Sequence, residues 1–128
     1  MIRDVYARSG LSPGETDVVE AHGTGTQAGD PLEASAISRV FGTGHSSENP
    51  VHIGSIKTNV GHLEGTSGVA GVIKAILMLE NRIILPSRNF ETINSRIPLE
   101  EWKLKVGFWA TCISDMLSDF TLLGAGLS

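Results

Sequence analysis

Residues 66–80 set the strongest limit on what this 128-residue chain can become. Val69, Ala70, Val72, Ile73, Ala75, Ile76, Leu77, Met78 and Leu79 place apolar side chains on nearly every side of a helix running from about Thr66 to Glu80. A helix that is apolar all round is a buried one. Gly65, Gly68 and Gly71 let neighbouring backbone approach closely. Lys74 interrupts the run, which is too short to span a bilayer. The pattern calls for a central helix covered by several neighbours, in a body larger than this chain can wrap. Apolar surface left uncovered favours association, so the chain alone is expected to be poorly soluble or molten.

The segments around that helix repeat one order. Asp17–His22 reads as a short strand, and Gly23–Gly29 as a glycine-rich loop. Asp30-Pro31-Leu32-Glu33 is a helix start: Asp30 accepts free backbone N–H groups, Pro31 suits the first helical position, and Glu33 sits where a capping box wants an acid. Leu32, Ala36, Ile37 and Val40 line one face of this helix, and Gly42 ends it. After the polar loop His45–Pro50 come a strand, Val51–Ile56, a second glycine-rich loop, Asn59–Gly65, and the apolar helix. An N-terminal helix over residues 2–9, with Ile2, Val5 and Tyr6 on one face, stops at Gly10. Short strands are expected at Ile83–Leu85 and Trp102–Val106, with Arg88–Pro98 a loop between them. Strand, loop, helix, twice over, predicts an α/β unit of parallel strands with a right-handed crossover. In such sheets functional loops gather at the carboxyl ends of the strands. Here those ends carry His22 and the Lys57–His62 segment, side by side.

Charge and cysteine usage narrow the function classes. Ten basic residues stand against 14 acidic ones, for a net charge of −4. That balance leaves no basic footprint for nucleic acid and no polybasic membrane patch. Cys112 is the single cysteine, so there is no internal disulfide framework. No apolar signal-peptide core follows Arg3, Asp4 and Arg8. A cytoplasmic protein that meets neither nucleic acid nor membrane is expected.

Two clusters carry chemistry. Glu20-Ala21-His22-Gly23-Thr24-Gly25-Thr26 offers an imidazole, two hydroxyls and closely approachable backbone. Lys57-Thr58-Asn59-Val60-Gly61-His62 brings a second imidazole, a lysine and the Asn59 amide within six residues. Taken singly, each has an ordinary explanation: a hydrogen-bonded loop histidine, a surface lysine. Taken jointly, at one edge of one sheet, they suit an oxyanion. Two neutral imidazoles each donate an N–H to a developing negative charge, and a lysine with a carboxylate partner holds the local field and the tautomers. An enolate formed by loss of CO2 is such a charge. No H-E-x-x-H, paired cysteines or close carboxylate cluster supports a metal. Gly29 falls one residue late for a dinucleotide loop after Gly23-x-Gly25, and no G-x-S-x-G elbow supports a serine hydrolase.

V-E-A-H-G-T-G-T at 19–26 with G-D-P-L-E at 29–33, and K-T-N-V-G-H-L-E-G at 57–65 with T-S-G-V-A-G at 66–71, resemble the two C-terminal motifs of β-ketoacyl synthases. Leu85-Pro86, Asn89-Phe90-Glu91-Thr92 and Leu99–Val106 resemble the segments that follow, so the likeness covers residues 1–106, in wording closest to polyketide synthases. The resemblance implies a partial thiolase-like fold, the C-terminal half of a ketosynthase, with parallel strands and a buried central helix. It implies decarboxylative Claisen condensation between an enzyme-bound acyl thioester and a malonyl-type unit on an acyl carrier protein. His22 and His62 then assist decarboxylation and stabilise the enolate, and Lys57 supports them. Thr24 and Thr26 contact the phosphopantetheine arm, which is the substrate carrier; no cofactor is bound directly. Glu33 pairs with Lys57 in this view, in competition with its role as a helix cap, and the ion pair is favoured.

The family's nucleophile is a cysteine in a D-x-A-C-S-S motif of the N-terminal half. No such motif stands here, and Cys112, between Thr111 and Ile113, has other neighbours. A chain inactive in condensation by itself is therefore expected. Residues 107–128 also lack the family's G-F-G-G-T-N-A-H motif and are read as a tail foreign to the fold, from an altered reading frame or a retained intron. Two rivals stand beside this: a non-catalytic half-domain that docks on an intact synthase, as subunits of a homodimer pair through the fold, and a degradative thiolase. The two-histidine pattern with a lysine argues for the decarboxylating branch.

Overall fold

The structure is a computed structural model and describes residues 1–107 and 110–112. Strand β1 (Val18–Glu20) lies beside β2 (Val51–Gly54), and β2 beside β4 (Leu104–Val106), all parallel. Val18 pairs with His52 and Glu20 with Gly54, so β1 and β2 end level with one another. Helix α1 (Ile2–Ser9) precedes the sheet, α2 (Gly29–Phe41) connects β1 to β2, and a short α3 (Lys57–Val60) and a long α4 (Ser67–Asn81) follow β2. The α/β order and the parallel pairing match the sequence expectation. The Ile83–Leu85 segment does not join that sheet. Its residues Ile83–Ile84 form β3, antiparallel to β5 (Thr111–Cys112). Two residues of the supposed tail thus pair with the fold; the rest of the expectation for 107–128 falls mostly outside the described residues.

The core sits between α2 and the sheet. Ala34, Ile37 and Phe41 of α2 pack with Val51 and Leu104, flanked by Tyr6, Val19, Ile53, Ile97, Leu99 and Trp102. Tyr6 meets Phe41 edge to face at 5.7 Å. The inward face of α2 differs from the one the sequence suggested, because Leu32 and Ala36 are exposed. Asp30 and Glu33 turn toward the loop after β1 and hydrogen-bond its backbone. Residues three, four and seven apart share a helix face, so this rotation brings Ala34, Ile37 and Phe41 inward.

Helix α4 buries only Lys74 and Met78. Val69, Val72, Ile73, Ile76, Leu77 and Leu79 are exposed. Among the described residues the apolar helix is covered on one side, and its uncovered side is the surface expected of a helix that needs further neighbours. No helix among the described residues is long and apolar enough to cross a membrane.

His52 is buried in β2 at 3% exposure, and its Nδ1 has no hydrogen-bond partner among the described residues. Burial, then the positive Lys105 and then His45, push its pKa down from 6.5 to about 4. The unfolded chain takes up a proton near pH 6.5 that the folded chain refuses until the pH nears 4. Stability present above pH 6.5 is therefore lost as the pH falls toward 4, by about 3 kcal/mol over that window. Denaturant unfolding of a ketosynthase that carries these residues, at about pH 7 and about pH 4.5, should show the loss, and its His52→Phe variant should lack that component. An equal acid loss in the variant would count against the assignment.

Candidate active site

The level ends of β1 and β2 launch the two histidine loops together. Ala21 N–H donates to Gly54 O at 2.7 Å, extending the pairing one residue toward His22. Ser55, buried just past β2, donates from Oγ to His22 O at 3.2 Å and accepts Lys57 N–H at 3.3 Å. One hydroxyl thus ties both loops. The His22 and His62 rings lie 5.5 Å apart, centroid to centroid, at 89°. Forty residues apart in sequence, the two imidazoles share one place.

His62 Nδ1 accepts the Glu64 N–H at 2.9 Å. A neutral imidazole that accepts at Nδ1 carries its proton on Nε2. His62 therefore presents an N–H donor on its free edge. Lys57 and His22 line an open cleft of about 390 Å³ with Glu20, Ser67, Gly68 and Gly71.

Glu33 is not the partner of Lys57. Its Oε1 accepts His22 N–H at 2.6 Å and its Oε2 accepts Gly23 N–H at 2.9 Å. Nor does it cap its own helix: both oxygens are spent on the loop leading into α2. Asp30 behaves alike, its Oδ1 accepting Gly25 N–H at 3.1 Å and Thr26 N–H at 3.2 Å. The first helical N–H, that of Gly29, is taken by Thr26 Oγ1 at 3.0 Å. Three side chains of 26–33 thus fold the His22–Thr26 backbone against α2. Thr24 is half-buried in that loop and Thr26 is exposed. Asn59 is exposed, and its Oδ1 accepts the Thr58 hydroxyl at 3.1 Å.

The buried ion pair is elsewhere. Lys74 Nζ stands 2.6 Å from Glu20 Oε2; the other ion pair among the described residues joins the Met1 amino group to Asp4. Sequence reasoning noticed Lys74 only as a break in an apolar run. The signal was there: a lysine inside a buried helix needs an anion, and Glu20 was the acid beside His22. Ser55 gave no signal, since a lone serine after a strand has no pattern.

Residues 1–91 match the family model of the β-ketoacyl synthase C-terminal domain. The chain belongs to the β-ketoacyl synthases. Over 106 residues it is 66% identical to the highly reducing polyketide synthase phiA of a fungal species, covering 83% of this chain and 4% of that protein. It is 58% identical over 112 residues to the reducing polyketide synthase PKS1 of Cochliobolus heterostrophus, covering 88% of this chain and 4% of the relative. The ketosynthase from module 6 of the bacillaene synthase of Bacillus subtilis superposes with a TM-score of 0.82 at 36% identity, over 93% of this chain and 21% of its own. The oxazolomycin ketosynthase domain of Streptomyces albus gives 0.79 at 31% identity, over 89% and 20%. The fold is thus thiolase-like, and the chain spans about 4% of these synthases and a fifth of these ketosynthase chains.

Proposed function

We propose that residues 1–106 supply the two-histidine half of a site for decarboxylative Claisen condensation in polyketide assembly. The pairing of His22 and His62, 5.5 Å apart at the end of one parallel sheet, supports it. In this reading a malonyl-type thioester arrives on the phosphopantetheine arm of an acyl carrier protein, along Thr24 and Thr26. Its thioester oxygen lies between the two imidazoles. As the bond to the carboxylate breaks, the electron pair forms an enolate, and CO2 leaves. The N–H groups of His22 and His62 hold the oxyanion, and the Lys57 ammonium adds positive field at the cleft. The enolate carbon then attacks an acyl thioester on a cysteine that this chain does not supply. Cys112 is exposed on β5 and outside that role. The 128 residues by themselves are accordingly inactive in condensation, and the reaction belongs to the cytoplasm.

The test is a ketosynthase in which residues 1–106 replace the matching segment. It should release CO2 from a malonyl thioester and condense the product. A graft that is acylated at the host cysteine yet releases no CO2 would overturn the reading. The exposed apolar face of α4 favours a second use for the chain, docking on an intact synthase or carrier-loaded assembly. Co-purification of the tagged chain with such a synthase is its expected sign, and recovery of the chain alone would dismiss it.

A further inference from the structure

Glu20 and Lys74 have no part in the mechanism above, yet three supports of the site meet at them. Lys74 is 5% exposed, and its ammonium lies 2.6 Å from Glu20 Oε2. The other carboxylate oxygen, Oε1, accepts the N–H of Ile56 at 2.5 Å. Glu20 ends β1, two residues before His22. Ile56 immediately precedes Lys57 and the segment that leads to His62. Lys74 lies in the middle of α4, which begins five residues after His62. The fold makes room for both side chains: a Cβ on Gly71 would stand 3.3 Å from Glu20 Cγ, and one on Gly54 would stand 3.4 Å from Lys74 Nζ.

A buried ion pair is weak evidence for stability, since apolar side chains of the same volume do as well or better there. What it supplies is direction. A carboxylate held by a buried cation offers a fixed, charged acceptor to one N–H. We infer that Glu20 and Lys74 are positioning residues for the two-histidine site: Glu20 clamps Ile56, Lys74 fixes the carboxylate, and together they keep the two histidine loops in the register that brings the imidazoles together. The inference rests on the proposed two-histidine reading.

Two charge-free double variants in the grafted ketosynthase separate the clamp from packing. Glu20→Gln with Lys74→Met keeps an oxygen acceptor for Ile56; Glu20→Leu with Lys74→Met removes it at similar volume. CO2 release is counted per host cysteine acylated, so unfolded protein is not scored. The Gln/Met variant should keep most of the rate, whereas the Leu/Met variant should lose about 30-fold in kcat, as a misplaced catalytic group does, with KM within about twofold. Lys74→Met alone leaves a half-buried carboxylate without its cation and should be rescued by adding Glu20→Gln. Equal kcat values for the two double variants would overturn the positioning role. His22→Ala in the same graft distinguishes the two levels. If it leaves CO2 release intact, the two-histidine reading fails; if it abolishes release while the double variants agree, only the clamp fails.

Discussion

Replacing either His22 or His62 with alanine in the grafted ketosynthase is expected to slow CO2 release by about 10²–10³-fold, the usual loss for one oxyanion donor. The Michaelis constant for the malonyl thioester should change little, because the donors matter when charge develops, not when the thioester docks. Two donors serving one oxyanion act as a unit, so the double alanine variant should be far less impaired than the product of the single losses. The structure permits a finer test at His62. Its Nδ1 is occupied as an acceptor from Glu64 N–H, so the working donor is Nε2. Glutamine reaches with its amide to the place of Nε2, asparagine only to that of Nδ1. His62→Gln should therefore retain more decarboxylation than His62→Asn. The reverse order, or a loss under about tenfold for either alanine variant, would mean that the ring pair serves another purpose.

The meeting of these two rings was legible because it follows from short-range signals joined by one topological rule. Val18–Val19 and Val51–Ile53 announce strands, each leads into a glycine-rich loop, and parallel strands put those loops at one edge. What was not legible depends on side-chain direction. The three-residue spacing that made Glu33 look like a cap acid is the same whether its carboxylate points to its own helix or to His22 and Gly23. Leu32 looked like a core residue, yet two acids on the neighbouring face fix the rotation of α2 and leave it in solvent. The Glu20–Lys74 pair spans 54 residues, beyond any local periodicity. The four residues of α3, Lys57–Val60, carry no apolar repeat and read as loop. Two-residue strands such as β3 and β5 are too short for alternation to reveal their partners.

Gly23→Ala should disable the site, whereas the same change two residues on at Gly25 should not. Both glycines have positive φ, +48° and +78°, so each alanine meets a similar backbone penalty, about 1–2 kcal/mol. Their surroundings differ. A Cβ on Gly25 meets nothing within 4 Å among the described residues. A Cβ on Gly23 would lie 2.6 Å from Ser55 Cβ and 3.1 Å from Ser55 Oγ. Ser55 cannot retreat cheaply: it is 5% exposed, and its hydroxyl joins His22 O to Lys57 N–H. Relief must come from separating the two loops, which adds overpacking strain of about 1–3 kcal/mol and moves His22 away from His62. A displacement near an ångström costs about 10²-fold in rate, so Gly23→Ala should fall by that order in CO2 release per acylated site. Gly25→Ala should stay within about threefold, a backbone penalty paid without displacement of the rings. Ser55→Gly in the Gly23→Ala background removes the colliding Cβ and should recover part of the rate, although the lost hydroxyl keeps it below the parent. Equal losses at the two glycines, or no recovery on trimming Ser55, would show that the Gly23–Ser55 contact does not set the spacing of the histidines.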